Sequence, residues 1–202
     1  MTQPWHHVSS THRVRKLTLG SWENDVYIVA CSQTSAAVII DAAADHERII
    51  AAVADVEPTA ILTTHGHADH IGAVDEVRSA LDIPFRLHAA DADIARITPD
   101  DPIEPSRIPL GDTFIDAVHT PGHTPGSTSF RIPGVVFTGD TMFPGGPGAT
   151  RFPYADFGQI ISSIENHILS LDDETLVFPG HGLDTTVGTE RPHLGEWIDR
   201  GW

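Results

Sequence analysis

The stretch Thr64-His65-Gly66-His67-Ala68-Asp69-His70-Ile71-Gly72 decides how this chain is read. It follows Ala60–Thr63, a short apolar run that reads as a buried strand. In extended backbone alternate side chains point the same way, so His65, His67 and Asp69 can project to one side. His70 joins them where the chain turns into a helix, predicted over Asp69–Leu81 from Ile71, Val74, Val77 and Leu81 on one face. Gly66 and Gly72 leave room for a tight backbone path. Imidazoles and carboxylates are donor types that zinc prefers. Scattered surface histidines would not crowd this way behind an apolar strand. The cluster points to metal but says little about reaction.

Three further segments repeat one arrangement: apolar strand, glycine, ligand-type residue. Thr120-Pro121-Gly122-His123-Thr124-Pro125-Gly126-Ser127 holds a histidine between two Pro-Gly turn signals, hence on a rigid loop. His119 competes with His123, but its place in a strand suits a buried role behind the ligands. Val136-Phe137-Thr138-Gly139-Asp140-Thr141 runs an apolar strand into Gly-Asp. Val177-Phe178-Pro179-Gly180-His181-Gly182 ends the same way in a histidine. Each alone could be an ordinary turn. Their convergence at one edge of the sheets is the informative feature.

Around these segments the pattern predicts strands at Val26–Ala30, Ala36–Ile40, Pro84–His88, Thr113–His119, Ser127–Ile132 and Val135–Thr138, with Thr175–Phe178 the last. Helices are predicted at Asp45–Val56, with Asp45 as N-cap, at Asp91–Ile97 and at Phe157–Leu171. The Pro-rich Thr98–Pro109 reads as a surface connection. Two similar α+β halves packed sheet to sheet, helices outside, are the expected layering. Asp41 closes a strand, where a place behind the ligands and a plain turn role are both open.

A chain of 202 residues can bury a real core. The formal net charge of −16 repels phosphate backbones, and no Lys/Arg cluster breaks the pattern, so no nucleic-acid partner is expected. No apolar run reaches the roughly 18–20 residues of a membrane helix, so no membrane partner is expected either. The N-terminus lacks a basic region followed by an apolar stretch, and Cys31 is the single cysteine, which together predict a cytoplasmic protein. Cys31, far in sequence from the motifs, reads as a small buried residue. His6, His7 and His12 could take up adventitious metal, and Trp197 and Trp202 could pack on the domain or on a partner.

The ordered set His65-X-His67-X-Asp69-His70, His123, Asp140, His181 resembles the metallo-β-lactamase superfamily, and most of all its glyoxalase II-like (hydroxyacylglutathione hydrolase-like) branch. The resemblance spans about Val26 to His181. It implies a four-layer αββα sandwich, class α+β, as one domain over residues 1–202. It implies two metal ions, zinc first and iron or manganese as alternatives. One would be held by His65, His67, His123 and Asp140, the other by Asp69, His70, Asp140 and His181, with Asp140 shared. A hydroxide between the metals would attack a thioester or ester carbonyl, with Asp69 orienting the water or accepting its proton.

The expected partner is a small acyl substrate; the sequence does not fix the oligomeric state. A lactonase or β-lactam hydrolase on the same site is an alternative, although true β-lactamases usually lack a bridging aspartate at this place. A mononuclear iron persulfide dioxygenase is another; the Cys-Gly-Arg-Thr-Asp-Phe-Gln stretch typical of that branch is absent. Only Gly182–Trp202 follow His181, so no C-terminal helical glutathione-binding domain is expected. The Gly-Cys-Gly-Arg type segment of glyoxalase II enzymes is also changed, which puts efficient glutathione-thioester hydrolysis in doubt. The Gly/Pro-rich loop Phe143–Tyr154 is read as one pocket wall, with Phe143, Arg151, Phe152 and Tyr154 offering apolar contact and a cation; a plain surface loop is its alternative.

Overall fold

Successive apolar residues of Asn24–Cys31 and Ala36–Ile40 fall on opposite faces, and this sets the layering. The computed structural model describes residues 3–201. β1 (His7–Val8), β2 (His12–Leu19), β3 (Asn24–Cys31), β4 (Ala36–Ile40), β5 (Glu57–Leu62) and β6 (Phe85–Arg86) form one sheet in that order. The first four run antiparallel; β5 and β6 add in parallel, which requires crossovers. Helix α1 (His46–Ala52) makes the first crossover, and α2 (Ala68–Ile71) with α3 (Val74–Leu81) the second. The helix α4 (Ala92–Ala95) follows β6.

The second sheet repeats this plan. β7 (Ser106–Leu110), β8 (Thr113–His119), β9 (Thr128–Ile132) and β10 (Val135–Gly139) are antiparallel neighbours. A small hairpin, β11 (Met142–Phe143) and β12 (Gly146–Pro147), and helix α5 (Phe157–Ser163) lead to β13 (Leu176–Pro179), parallel to β10. β14 (Thr185–Thr186) closes the edge, and α6 (Val187–Glu190) and α7 (Leu194–Arg200) finish the described chain. In β4, Val38 and Ile40 face the other sheet while Ala37 and Ile39 face the helices. The layer between the sheets holds Tyr27, Val29, Leu62, Phe130, Phe137 and Phe178. The outer layers pack Ile49, Val74 and Val77 on the first sheet and Ile160, Ile164, Ile168 and Trp197 on the second. Each such side chain, fully buried, contributes about 1.5–3 kcal/mol. The result is the expected αββα sandwich.

Several expectations need correction. Thr98–Pro109 is not merely a connection, because β7 begins at Ser106 and buries Ile108 and Leu110. β2 escaped the pattern because charged residues interrupt it; Arg15 is nonetheless buried, paired with Asp55 and stacked on Trp5. The helix expected over Asp69–Leu81 breaks at Gly72-Ala73, where the Ala73 N–H donates to the Ala42 carbonyl rather than to its own helix. Asp45 stands at the N-cap of α1 with left-handed backbone but makes no side-chain cap. Phe157–Leu171 widens into a π-turn at Ile164–Ile168. β6 covers only Phe85–Arg86 of Pro84–His88, and Thr175–Phe178 is not the last strand. Cys31 is buried between the sheets, and Trp197 packs beside α5; Trp202 lies outside the described residues. Among the described residues no helix is long and apolar enough to cross a membrane.

Candidate metal centre

β5, parallel to β4 in the first sheet, and β10 and β13, parallel to each other in the second, all run into loops that carry the candidate ligands. The loop after β5 delivers His65, His67, Asp69 and His70; the β8–β9 loop delivers His123; the ends of β10 and β13 deliver Asp140 and His181. All seven predicted ligand residues come together here. His65, His67 and His123 form one triad, and Asp69, His70 and His181 another; within each the donor atoms lie within 4.8 Å of one another. His65 Nε2 and His123 Nε2 are each 3.0 Å from His67 Nδ1. Asp140 stands between the triads. Its Oδ1 is 3.3 Å from His70 Nε2 and 3.7 Å from His181 Nε2, and its Oδ2 is 3.7 Å from His123 Nε2.

The far nitrogen of every imidazole is occupied. His70 Nδ1 donates to Asp41 Oδ2 at 2.9 Å, His123 Nδ1 to the Ala149 carbonyl at 2.7 Å, and His181 Nδ1 to the Trp22 carbonyl at 2.9 Å. His65 Nδ1 faces the Thr64 hydroxyl at 3.1 Å, and that hydroxyl donates to Asp41. His67 Nε2 meets the Tyr154 hydroxyl at 2.8 Å. Such partners fix the tautomer and turn the free lone pair toward the site, as in metal-ligating histidines. Asp41 thus belongs behind the ligands, bonding Thr64 and His70 together.

The donor set fits a cation. Nitrogens of His65, His67 and His123 converge at 3.0 Å, where a single His67 proton could serve at most one of the two contacts and a cation could take all three. Buried His70 Nε2 and Asp140 Oδ1 have no hydrogen-bond partner despite their closeness, and orphaned buried groups of this kind call for a ligand. Burial, then the neighbouring imidazoles, holds His65 well below the usual histidine range. Burial and His123 bring His67 down to about 4. Both are therefore neutral and ready to ligate near pH 7. Burial pulls His70 down too, but the Asp140 and Asp41 carboxylates outweigh it and hold the imidazole well above its ordinary value. A proton there plays the part a metal would take. Burial favours the neutral acid at Asp69, yet His181, His70 and Asn24 together keep it ionised well below the usual carboxylate range. Gly180 completes the cradle: a Cβ there would lie 2.5 Å from Asp140 Oδ1 and 2.7 Å from His70 Cε1.

A cavity of about 620 Å³ opens over the ligands, lined also by Trp22, Ala68, Ala149, Arg151 and Phe152. Of the expected wall, Arg151 and Phe152 reach it. Phe143 instead lines a separate depression beside Arg200. Tyr154 stacks on Phe152 and bonds His67. His119 is half-buried, stacked on His88 and bonded to the Pro125 carbonyl, so it supports the His123 loop without joining the ligands. Sequence reasoning missed Trp22, 73% exposed at the cavity mouth, and Asn24, whose buried amide donates to Asp69 Oδ2 at 3.1 Å. It also missed Asp91. No local pattern marks these three residues.

Residues 20–181 match the family model described as metallo-beta-lactamase superfamily, and the chain belongs to that superfamily. It is 33% identical to hydroxyacylglutathione hydrolase GloC of Haemophilus influenzae, over 77% of this chain and 84% of that protein. Among solved structures, the BLEG-1 B3 metallo-β-lactamase superposes with a TM-score of 0.80 at 33% identity, covering 89% of this chain and 97% of that one. TTHA1623 in a di-iron-bound form gives 0.79 at 34% identity, covering 88% and 96%. The metallo-β-lactamase fold and a metal-binding site of hydrolase type follow.

Proposed function

We propose that this protein is a binuclear metal-dependent hydrolase of thioesters or esters, glyoxalase II-like, with zinc as its metal. The observation that carries the reading is Asp140, whose two carboxylate oxygens face different triads. His65, His67, His123 and Asp140 would hold one ion; Asp69, His70, His181 and Asp140 would hold the other. Two such ions, when bound, would lower the pKa of a water they hold to about 7 and polarise a carbonyl.

The chain's own residues then have separable tasks. Asp69, ionised and held by Asn24, orients the attacking water and takes a hydrogen bond from it. Trp22 and Phe152 flank the acyl compound with apolar surface, and Arg151 offers a cation to an anionic substrate. No serine or cysteine nucleophile is needed, and Cys31 is buried away in the core. The GloC relative supports a thioester substrate. The similarity to BLEG-1 favours a second reading, a lactone or β-lactam substrate on the same site. The complete second triad weighs against a mononuclear iron dioxygenase, which would not need it.

The test is the initial rate of S-D-lactoylglutathione hydrolysis by zinc-loaded protein. The proposal predicts kcat/KM above about 10⁴ M⁻¹s⁻¹, the lower end for enzymes. A negligible rate with two metals bound would move the substrate to lactones or other acyl compounds.

A further inference from the structure

Asp91 ends the short turn Ala89–Asp91 between β6 and α4, is fully buried, and does not line the cavity. Its carboxylate joins two loops. Oδ2 accepts the Gly66 N–H at 2.8 Å and the Thr124 hydroxyl at 2.7 Å; Oδ1 accepts the Gly126 N–H at 2.6 Å. Gly66 lies between His65 and His67, and Thr124 directly follows His123. One loop leaves the first sheet and the other belongs to the second. The fit is close on both sides. A Cβ on Gly126 would stand 2.7 Å from the Asp91 carboxyl, and one on Gly66 would stand 2.8 Å from the Asp91 carbonyl oxygen.

We infer that Asp91 is the positioning residue of the His65/His67/His123 triad, setting the spacing between ligands that come from different sheets and hence their affinity for metal. The inference rests on the metal reading above. A carboxylate is required because both oxygens must accept: Oδ2 joins the two loops through Gly66 and Thr124, and Oδ1 adds Gly126. Asparagine has one acceptor oxygen, so its amide N–H would face a donor at the other place: the Gly126 N–H in one orientation, the Gly66 N–H and Thr124 hydroxyl in the other. The Asp91 bonds do not extend to Asp69, His70 or His181, which are held instead by Asn24, Asp41 and the Trp22 carbonyl.

The experiment is a stepwise zinc titration against a chromophoric chelator, with melting curves of metal-free and zinc-loaded protein, for wild type, Asp91→Asn and Gly126→Ala. Gly126→Ala pushes the carboxylate aside while keeping its charge, and it serves if Asp91→Asn fails to fold. The expected result is a loss of at least about tenfold in one of the two zinc affinities, the scale of lost outer hydrogen bonds. The other affinity should stay within about threefold. The zinc-induced rise in Tm should shrink, since it reports affinity for the folded state. Equal falls in Tm with and without zinc, at unchanged affinities, would overturn the inference and leave Asp91 a purely structural link. Wild-type protein that takes up no zinc would overturn the metal reading as well, so the two failures are distinguishable.

Discussion

One half of the centre comes from a single loop, and the other from three separate strand ends. His65, His67, Asp69 and His70 follow β5 within six residues, so local backbone geometry alone presents them together. His123, Asp140 and His181 meet them only because β8, β10 and β13 share a sheet that packs against the first. The compact half needs little beyond a turn. The dispersed half depends on the sandwich, on glycines that admit close approach, and on Asp91, which ties a loop of one sheet to a loop of the other. The lesson is that the short motif brings ligands, while the packing of the two sheets sets the distances between them.

The junction between the two halves is the most sensitive point. Asp140→Asn removes a charge from the one ligand that faces both triads. Metal stabilisation of a reacting carbonyl is worth several kcal/mol, and each 1.4 kcal/mol is tenfold, so kcat/KM should fall about a thousandfold or more. Steady-state kinetics on zinc-loaded protein would show it. Next comes Gly180→Ala, whose methyl would intrude on Asp140 and His70. A displacement of about 1 Å can cost about a hundredfold, and that loss in kcat/KM is expected without a change of charge.

Asp41→Asn sharpens the contrast between the triads. It weakens the hold on His70 and Thr64, so zinc affinity should fall about ten- to a hundredfold, chiefly at the second triad. Chelator competition measures it, and the pattern should mirror that of Asp91→Asn. The smallest effect on the fold is expected from Trp22→Ala. An indole this exposed contributes little to stability, so unfolding free energy should stay within about 0.5 kcal/mol by denaturant titration. KM should rise, because the cavity loses an apolar wall.

Legibility followed the same division. His65–His70 announced a metal site by crowding, and the αββα layering was readable from strands such as Ala36–Ile40, whose boundaries agree with β4. His123, Asp140 and His181 were each ambiguous as turn residues and became informative only as an ordered set. β2 and β7 stayed hidden because arginine, lysine and proline interrupt their alternation, although tertiary packing still buries Arg15 and Ile108. Asn24 and Asp91 were not legible at all. Their importance lies in hydrogen bonds to residues 45 and up to 35 positions away, which no local period encodes. Phe143, in the β11–β12 hairpin, lines the depression beside Arg200 while its ring stays 6.3 Å from that of His181, so it stands behind a ligand rather than in the cavity wall.

Seven side chains in this arrangement should hold two metal ions. The direct measurement is zinc per chain by elemental analysis after exhaustive dialysis, on protein carrying His6→Ala and His7→Ala. These N-terminal histidines lie outside the cavity and could add stray metal; His12 is buried and needs no change. Two zinc ions per chain are expected; one or none would show that the seven side chains do not form a two-metal site.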